Sequence, residues 1–208
     1  MSNKPSEPTA DEPLNPEDQR GRIMDAALDV FARQGFGSAR MEEIASSAHT
    51  SKGSIYFHFP SKERLFLALA DQFANLLERR VTQSIQPEQQ GMRRVQVAIE
   101  VCLDTFGRYR RAAKIMLAQG AGLGTTFEEK RTEINERFAR LIAIYLREAI
   151  AQGEIAPVDV EVISLAWMGA IYALVIHWVN TNEPPPQQIL AALVPALLRS
   201  VGYEPQKA

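Results

Sequence analysis

Ser51-Lys52-Gly53-Ser54-Ile55-Tyr56-Phe57-His58-Phe59-Pro60-Ser61-Lys62-Glu63 is the stretch on which the reading of this chain turns. Ser51 and Ser61 are each placed to cap a helix, and each is followed at once by a lysine, Lys52 and Lys62. A helix N-terminus exposes N–H groups and carries partial positive charge, so an acid is favoured there and a lysine is not. Two cations at two successive helix starts predict an anion outside them, and phosphate suits both the lysines and the helix ends. Other helix starts look ordinary. Asn15-Pro16-Glu17-Asp18 reads as cap, proline and acids, Thr126-Phe127-Glu128-Glu129 as a capping box, and Pro157-Val158-Asp159 places an acid early. Arg40 stands at a third cationic start, with Glu42 and Glu43 close enough to pair with it.

The charge distribution agrees with a local anionic partner. The 208 residues carry a net charge of −2, with 46% hydrophobic content, ample for a core. Residues 20–65 hold a small excess of Lys and Arg over Asp and Glu, while residues 1–18 are acidic. That pattern fits a basic module rather than a globally basic protein. The single cysteine, Cys102, excludes an internal disulfide and a cysteine-based metal cluster. Its place on an apolar helical stripe predicts a buried, inert thiol. No apolar leader opens the chain, and Pro5, Pro8 and Pro13 among scattered acids read as a disordered tail over 1–14. The expected location is the cytoplasm.

Helical periodicity runs almost throughout, without strand alternation. Ile23, Ala26, Ala27, Val30 and Phe31 form one stripe, ended by Gly35; Met41, Ile44, Ala45 and Ala48 form a short second helix. A third runs from about Ser51 to Phe57, a long fourth follows Pro60, and Gln86-Pro87 breaks it. Further stripes are Val95, Ala98, Ile99, Cys102 and Phe106, then Ile134, Phe138, Leu141, Ile142 and Tyr145. A basic helix lies around Arg108 to Gln119, and Gly120, Gly122 and Gly124 read as a flexible joint. The last two helices span about Asp159–Asn180 and Gln187–Val201, with Pro195 expected to kink the second. The expectation is an all-α chain of about nine helices.

The pair near residues 40–47 and 51–57, joined by three residues, has the dimensions of a helix-turn-helix, whose second helix enters the DNA major groove. Ala26-Ala27, Phe31, Gly35-Phe36, Met41, Ile44-Ala45, Ser51-Lys52-Gly53, Ile55-Tyr56, His58-Phe59 and Ser61-Lys62-Glu63 together resemble the DNA-binding domain of TetR-type (tetracycline-repressor-like) bacterial transcription regulators. The resemblance covers about residues 20–66. It implies a three-helix DNA-binding domain over 15–66 and a helical ligand-binding and dimerisation domain over 67–208. It also implies a homodimer, paired through its last two helices, on a palindromic double-stranded operator.

Carried over by position, Arg40, His49, Thr50, Ser51, Lys52, Gly53, Ser54, Tyr56, His58 and Lys62 form the DNA contact set. Tyr56 and Lys62 would touch phosphate. Lys52 and Ser54 would approach phosphate or base edges, and Gly53 would let the backbone close in. Ile55, Phe57 and Phe59 read as core; His58 suits either DNA or a helix C-terminal cap. Two departures stand out. His49-Thr50 replaces the family's usual Gly-Val, so His49 must adopt a left-handed conformation if the turn persists. Ala39-Arg40 replaces the usual Thr-Thr, losing a cap hydroxyl and gaining a cation.

For the regulatory half, the resemblance implies a cavity for a small effector. Phe106, Tyr109, Met116, Phe138, Trp167, Met168, Tyr172 and His177 are the candidate lining, with Tyr172 and His177 as orienting polar groups; at such spacing these types also serve as plain core. Val162 to Asn182 contains no Asp, Glu, Lys or Arg, so that helix must be buried on all sides or lie in a membrane. No Lys or Arg stands between Arg147 and Arg199 to orient a span, which favours burial in protein. Arg108, Arg110, Arg111 and Lys114 form a basic cluster, either a solvated face or a seat for a phosphate-bearing ligand such as an acyl-coenzyme A. The leading expectation is a repressor released by a lipophilic or aromatic effector. A DNA-bound interaction protein without a small ligand, such as a nucleoid or cell-division factor, is the alternative. Three histidines and one cysteine supply no nucleophile–base or metal constellation, so no enzyme, cofactor or metal is expected.

Overall fold

The computed structural model describes residues 18–119 and 124–204. The expected tail over 1–14, and Gly120 and Gly122 of the expected joint, lie outside them. Among the described residues the regular structure is helical: α1 (Gln19–Ser38), α2 (Met41–Ser47), α3 (Lys52–His58), α4 (Lys62–Ile85), α5 (Gly91–Arg108), α6 (Arg110–Lys114), a π-helical turn (Ile115–Gln119), α7 (Thr125–Ala151), α8 (Val160–Thr181) and α9 (Pro186–Ser200). Two compact units result. One comprises residues up to Phe73 together with Phe106–Gly122, the other Ala74–Thr105 and Leu123 onward. The division is therefore no single cut along the chain, because the segment after α5 belongs with the first unit.

In the first unit, α1 packs on α2, α6 and the π-helical turn, and α2 packs on α3. The α1 stripe is the one its periodicity dictates: Ile23, Ala27, Val30 and Phe31 are all buried. Helical geometry is lost at Gly35, with φ +79°, before the chain turns towards α2. Phe31, Phe36 and Phe66 form a triangle of rings with centroids 5.1 to 5.8 Å apart, in tilted and edge-on geometries that suit aromatic quadrupoles. Phe73 extends the aromatic packing to Phe106, 5.5 Å away, and to Tyr109 at 6.5 Å.

The helix starts show which sequence signals carried. Asp18 caps α1, its carboxylate accepting from Gly21 N at 2.5 Å, where the sequence pointed to Asn15. Asp159 caps α8 by accepting from Val162 N at 3.1 Å. The capping box expected at Thr126 does not form, because α7 starts at Thr125 behind Gly124, whose φ of +61° sets the entry. The basic helix expected from Arg108 to Gln119 is interrupted at Tyr109, which leaves helical geometry at φ −106° and ψ +41°.

In the second unit, α8 packs between α7 and α9. Trp167, Ile171, Val175, Trp178 and Val179 are buried, and Trp167 Nε1 donates to Ser200 Oγ at 3.2 Å. Asn182 ends α8 in a left-handed conformation, φ +68°. The helix continues through Pro195 in α9. The start of α5 is pressed against α7: a Cβ on Gly91 would lie 2.6 Å from Ala149 N and 2.8 Å from Tyr145 O. The exposed N–H groups of Gly91 and Met92 donate to the two Glu154 carboxylate oxygens at 2.7 and 3.2 Å, so an acid sits where the helix dipole favours one.

Candidate nucleic-acid interface and candidate cavity

The turn between α2 and α3 is set by three backbone hydrogen bonds. Ala48 N donates to Ile44 O, His49 N to Ser46 O, and Thr50 N to Ala45 O at 2.9 Å. The last two are the pair of contacts that end a helix through a left-handed residue, a place that glycine usually fills. His49 fills it here, with φ +50° and an exposed ring, as the resemblance to the glycine-bearing turn required. Thr50 is half-buried, and its Oγ1 accepts from Gln19 Nε2 at 2.8 Å. Gln19 Oε1 meets His58 Nε2 at 3.3 Å, so one glutamine of α1 ties both ends of α3.

Both serine caps form. Ser51 Oγ accepts from Ser54 N at 3.1 Å, and Ser61 Oγ from Arg64 N at 3.2 Å. The two lysines behind them differ. Lys52 is exposed and pairs with Glu42 at 2.7 Å. Its ammonium lies 6.0 Å from the Tyr56 ring centroid. The Lys52 hydrogen bond and charge hold the Glu42 carboxyl below the usual carboxylate range, and Glu42 raises Lys52 in return. Such an exposed pair is screened by solvent and opens at little cost. Lys62 points the other way. Its Nζ donates to the carbonyls of Phe36, Gly37 and Ala39 at 2.7, 3.1 and 2.9 Å and lies 4.6 Å from the Phe36 ring centroid. All three ammonium protons are thereby occupied on the end of α1, where a cation complements the helix C-terminus. Its place at a helix start thus has a cause inside the chain.

Arg40 is the N-terminal residue flanking α2, and its own N–H donates to Glu43 Oε2 at 3.2 Å. The expected pairing with Glu43 is thus made by the backbone. Ile55 and Phe59 are buried as expected, Tyr56 is 38% exposed, and Phe57, read as core, is 84% exposed. The error has a geometric cause. At 100° per residue Phe57 lies opposite the direction shared by Ile55 and Phe59, so in a seven-residue helix it points outward. Alternating aromatics in Ile-Tyr-Phe-His-Phe concealed that.

The second unit holds a small, partly open apolar pocket of about 30 Å³. Val81 of α4 lines it with Val95, Ala98, Ile99 and Cys102 of α5, Phe138, Leu141, Ile142 and Tyr145 of α7, and Met168 and Ile171 of α8. Of the eight expected lining residues only Phe138 and Met168 are on it. Tyr109 and Met116 are buried and Phe106 packs on Phe73, all in the first unit. Trp167 is core, and Tyr172 lies under the Arg131 guanidinium at 5.3 Å. His177, expected inside, is exposed. Most of the lining comes instead from one apolar stripe of α5 and one of α7. Half-buried Cys102 lies on the wall, and burial pushes its thiol up to about 12, so it stays protonated and unreactive at neutral pH. Arg111 of the basic cluster pairs with Asp29 of α1 at 2.5 Å.

Helix α8, without a charged residue from Val162 onward, is long and apolar enough to cross a membrane by composition, yet only part of it is buried. Val162 is 60% and Leu165 56% exposed, with Ala166, Gly169 and Ala173 also exposed along the same face. Burial on all sides, expected from the sequence, is therefore not achieved within one chain.

Residues 23–69 match the family described as bacterial regulatory proteins, tetR family. The chain is 30% identical over 141 residues to the transcriptional regulator UidR of Escherichia coli K12, covering 66% of this chain and 69% of that protein. It is 27% identical over 180 residues to the transcriptional regulator SrpR of Pseudomonas putida, with 85% and 83% covered. Among solved structures, the regulator FadR of Bacillus subtilis in complex with stearoyl-CoA superposes with a TM-score of 0.76 at 21% identity, over 88% of this chain and 98% of that one.

Proposed function

This chain belongs to the tetR family of bacterial regulatory proteins and is a DNA-binding transcription regulator, and on that premise we propose that it is a homodimeric repressor released from a palindromic operator by a lipophilic effector. The observation that carries the finer reading is the partly open apolar pocket in the unit that lacks the helix-turn-helix, a concave, uncharged lining of the kind that seats a lipophilic group. Its lining offers no charged group, so the part of an effector seated there is uncharged. That absence of charge weighs against placing a phosphate inside, and Arg111 of the basic cluster already has a carboxylate partner.

The exposed α8 face supports the dimer. Val162, Leu165, Ala166, Gly169 and Ala173 present apolar and small side chains with no charge among them, and they suit a second copy of the same helices. Two copies would bring two α3 helices to successive major grooves. Arg40, His49, Thr50, Ser51, Gly53, Ser54, Tyr56 and His58 surround the approach, with Lys52 exchanging Glu42 for phosphate. A coupling of only ~1–3 kcal/mol between cavity and DNA would suffice for regulation. The protein would act in the cytoplasm.

The test is a selection of the purified protein against random duplex DNA, then titration of the selected site in the presence of added lipophiles. FadR of Bacillus subtilis makes stearoyl-CoA an obvious first probe, beside a free long-chain fatty acid and an uncharged aromatic hydrocarbon. A palindromic motif whose occupancy falls about 5–150-fold with one probe supports the reading. A motif indifferent to all lipophiles favours the ligand-free alternative. Leu165→Glu should abolish the dimer in sedimentation; an unchanged dimer would move the interface elsewhere.

A further inference from the structure

Two residues of α3 have no packing role among the described residues. Phe57 is the most exposed of the large hydrophobic side chains on the described surface, at 84%, its ring meeting only the edge of the adjacent His58 ring at 5.4 Å. Gly53 stands one turn before it on the same outward face. A Cβ there would meet nothing nearer than Ser51 Oγ at 3.9 Å, and its backbone needs no positive φ. Gly53, in the first turn of α3, leaves that part of the outward face without a side chain, and Phe57, 84% exposed, presents a flat apolar ring one turn later. Together they make a bare strip of backbone beside a flat apolar ring. Polar and cationic groups border it: Lys52 and Tyr56 on one side, Ser54 and His58 on the other, as 100° per residue requires.

We propose that Phe57 is the sequence-reading residue of this helix, packing its ring on the C5-methyl of a thymine at a fixed position in each operator half-site. The inference rests on the DNA-binding reading and adds to it which base is read and how. Within the major groove the thymine methyl is the apolar feature of a base-pair edge, and a ring without donors or acceptors can discriminate only by meeting it. Arg, Asn and Gln do not occur in Lys52–His58, and Lys52 is engaged by Glu42. Gly53 allows the helix to lie deep enough for the ring to reach the base rather than stop at the backbone. The bordering Lys52 and Tyr56 hold phosphates and set the register, carrying no sequence information themselves.

The experiment begins with the operator selected by the full-length protein. Each thymidine is replaced in turn by deoxyuridine, which removes the methyl group and leaves every hydrogen-bonding group. The parent protein should lose about fourfold in affinity at one position of each half-site, the effect of returning one methyl-sized group to water. Phe57→Ala should bind the unmodified operator more weakly by a similar or larger factor and no longer distinguish thymidine from deoxyuridine there. Phe57→Leu should keep part of the discrimination. Because the side chain is exposed, both variants should unfold at the parent's temperature. A parent indifferent to deoxyuridine at every position, or a Phe57→Ala protein that still discriminates, overturns the proposal while leaving DNA binding intact. Failure to select any sequence from the pool overturns the DNA-binding reading and this one with it.

Discussion

Helices α3 and α8 both leave large hydrophobic side chains in solvent, and the two faces differ in what surrounds them. Around Phe57 on α3 stand Lys52, Tyr56, Ser54 and His58, with a glycine one turn away. Around Val162 and Leu165 on α8 stand alanines and a glycine, without a charge from Val162 to Asn182. The first is an apolar point inside a polar, cationic border, which suits a highly charged polymer with small apolar features. The second is a continuous apolar stripe, which suits only another apolar stripe. Exposure by itself identifies neither partner; the chemistry at the rim does.

The same contrast runs through how each region is held, and substitutions can break it. Around α5 the structure depends on close approach. Gly91→Ala forces a Cβ to within 2.6 Å of Ala149 N, against backbone that cannot rotate away. We expect a loss of about 2–4 kcal/mol, read as a lowered thermal midpoint. A midpoint within a degree of the parent would mean that α5 and α7 are not clamped as described.

Around α3 the structure depends on hydrogen bonds between polar groups, which water can partly replace. Lys62→Met removes three bonds to α1 carbonyls, for an expected loss of about 1–2 kcal/mol of stability. Its effect on DNA separates two roles for this lysine. A phosphate contact would lower the slope of log affinity against log salt by about 1 per protomer, whereas a brace for α1 leaves that slope unchanged. We expect the slope to stay, and a fall would return Lys62 to the phosphate contacts.

The smallest expected change is at the turn. His49→Gly relieves a left-handed histidine at φ +50° and should raise stability by about 1 kcal/mol in thermal unfolding. If the exposed imidazole also meets DNA, the stabilised variant binds its operator more weakly. Equal binding would assign His49 to the turn alone.

Local signals in the first unit were read well because their causes are local. Ser51 and Ser61 cap because a hydroxyl three residues before an N–H can reach it whatever else the chain does. The His49 conformation followed from the register of the turn. The intrachain role of Lys62 was not legible, because its partners are Phe36, Gly37 and Ala39, more than twenty residues away and invisible to an argument about its own helix. In the second unit the stripes Val95, Ala98, Ile99, Cys102 and Phe138, Leu141, Ile142, Tyr145 were evident from period alone. That both line one pocket was not, and a search by aromatic residue type went to Trp167, Tyr172 and His177 instead.

What the chain determined by itself was most of the helices, the serine caps at Ser51 and Ser61 and the helix-turn-helix, since each depends on hydrogen bonds and periodicity within a few residues. The tertiary structure decided which apolar faces meet, where space is left between α5 and α7, and that Phe57 and the α8 stripe stay uncovered by the described residues. Burial is a property of packing: the same hydrophobic side chain is core or contact surface according to what the fold brings opposite it.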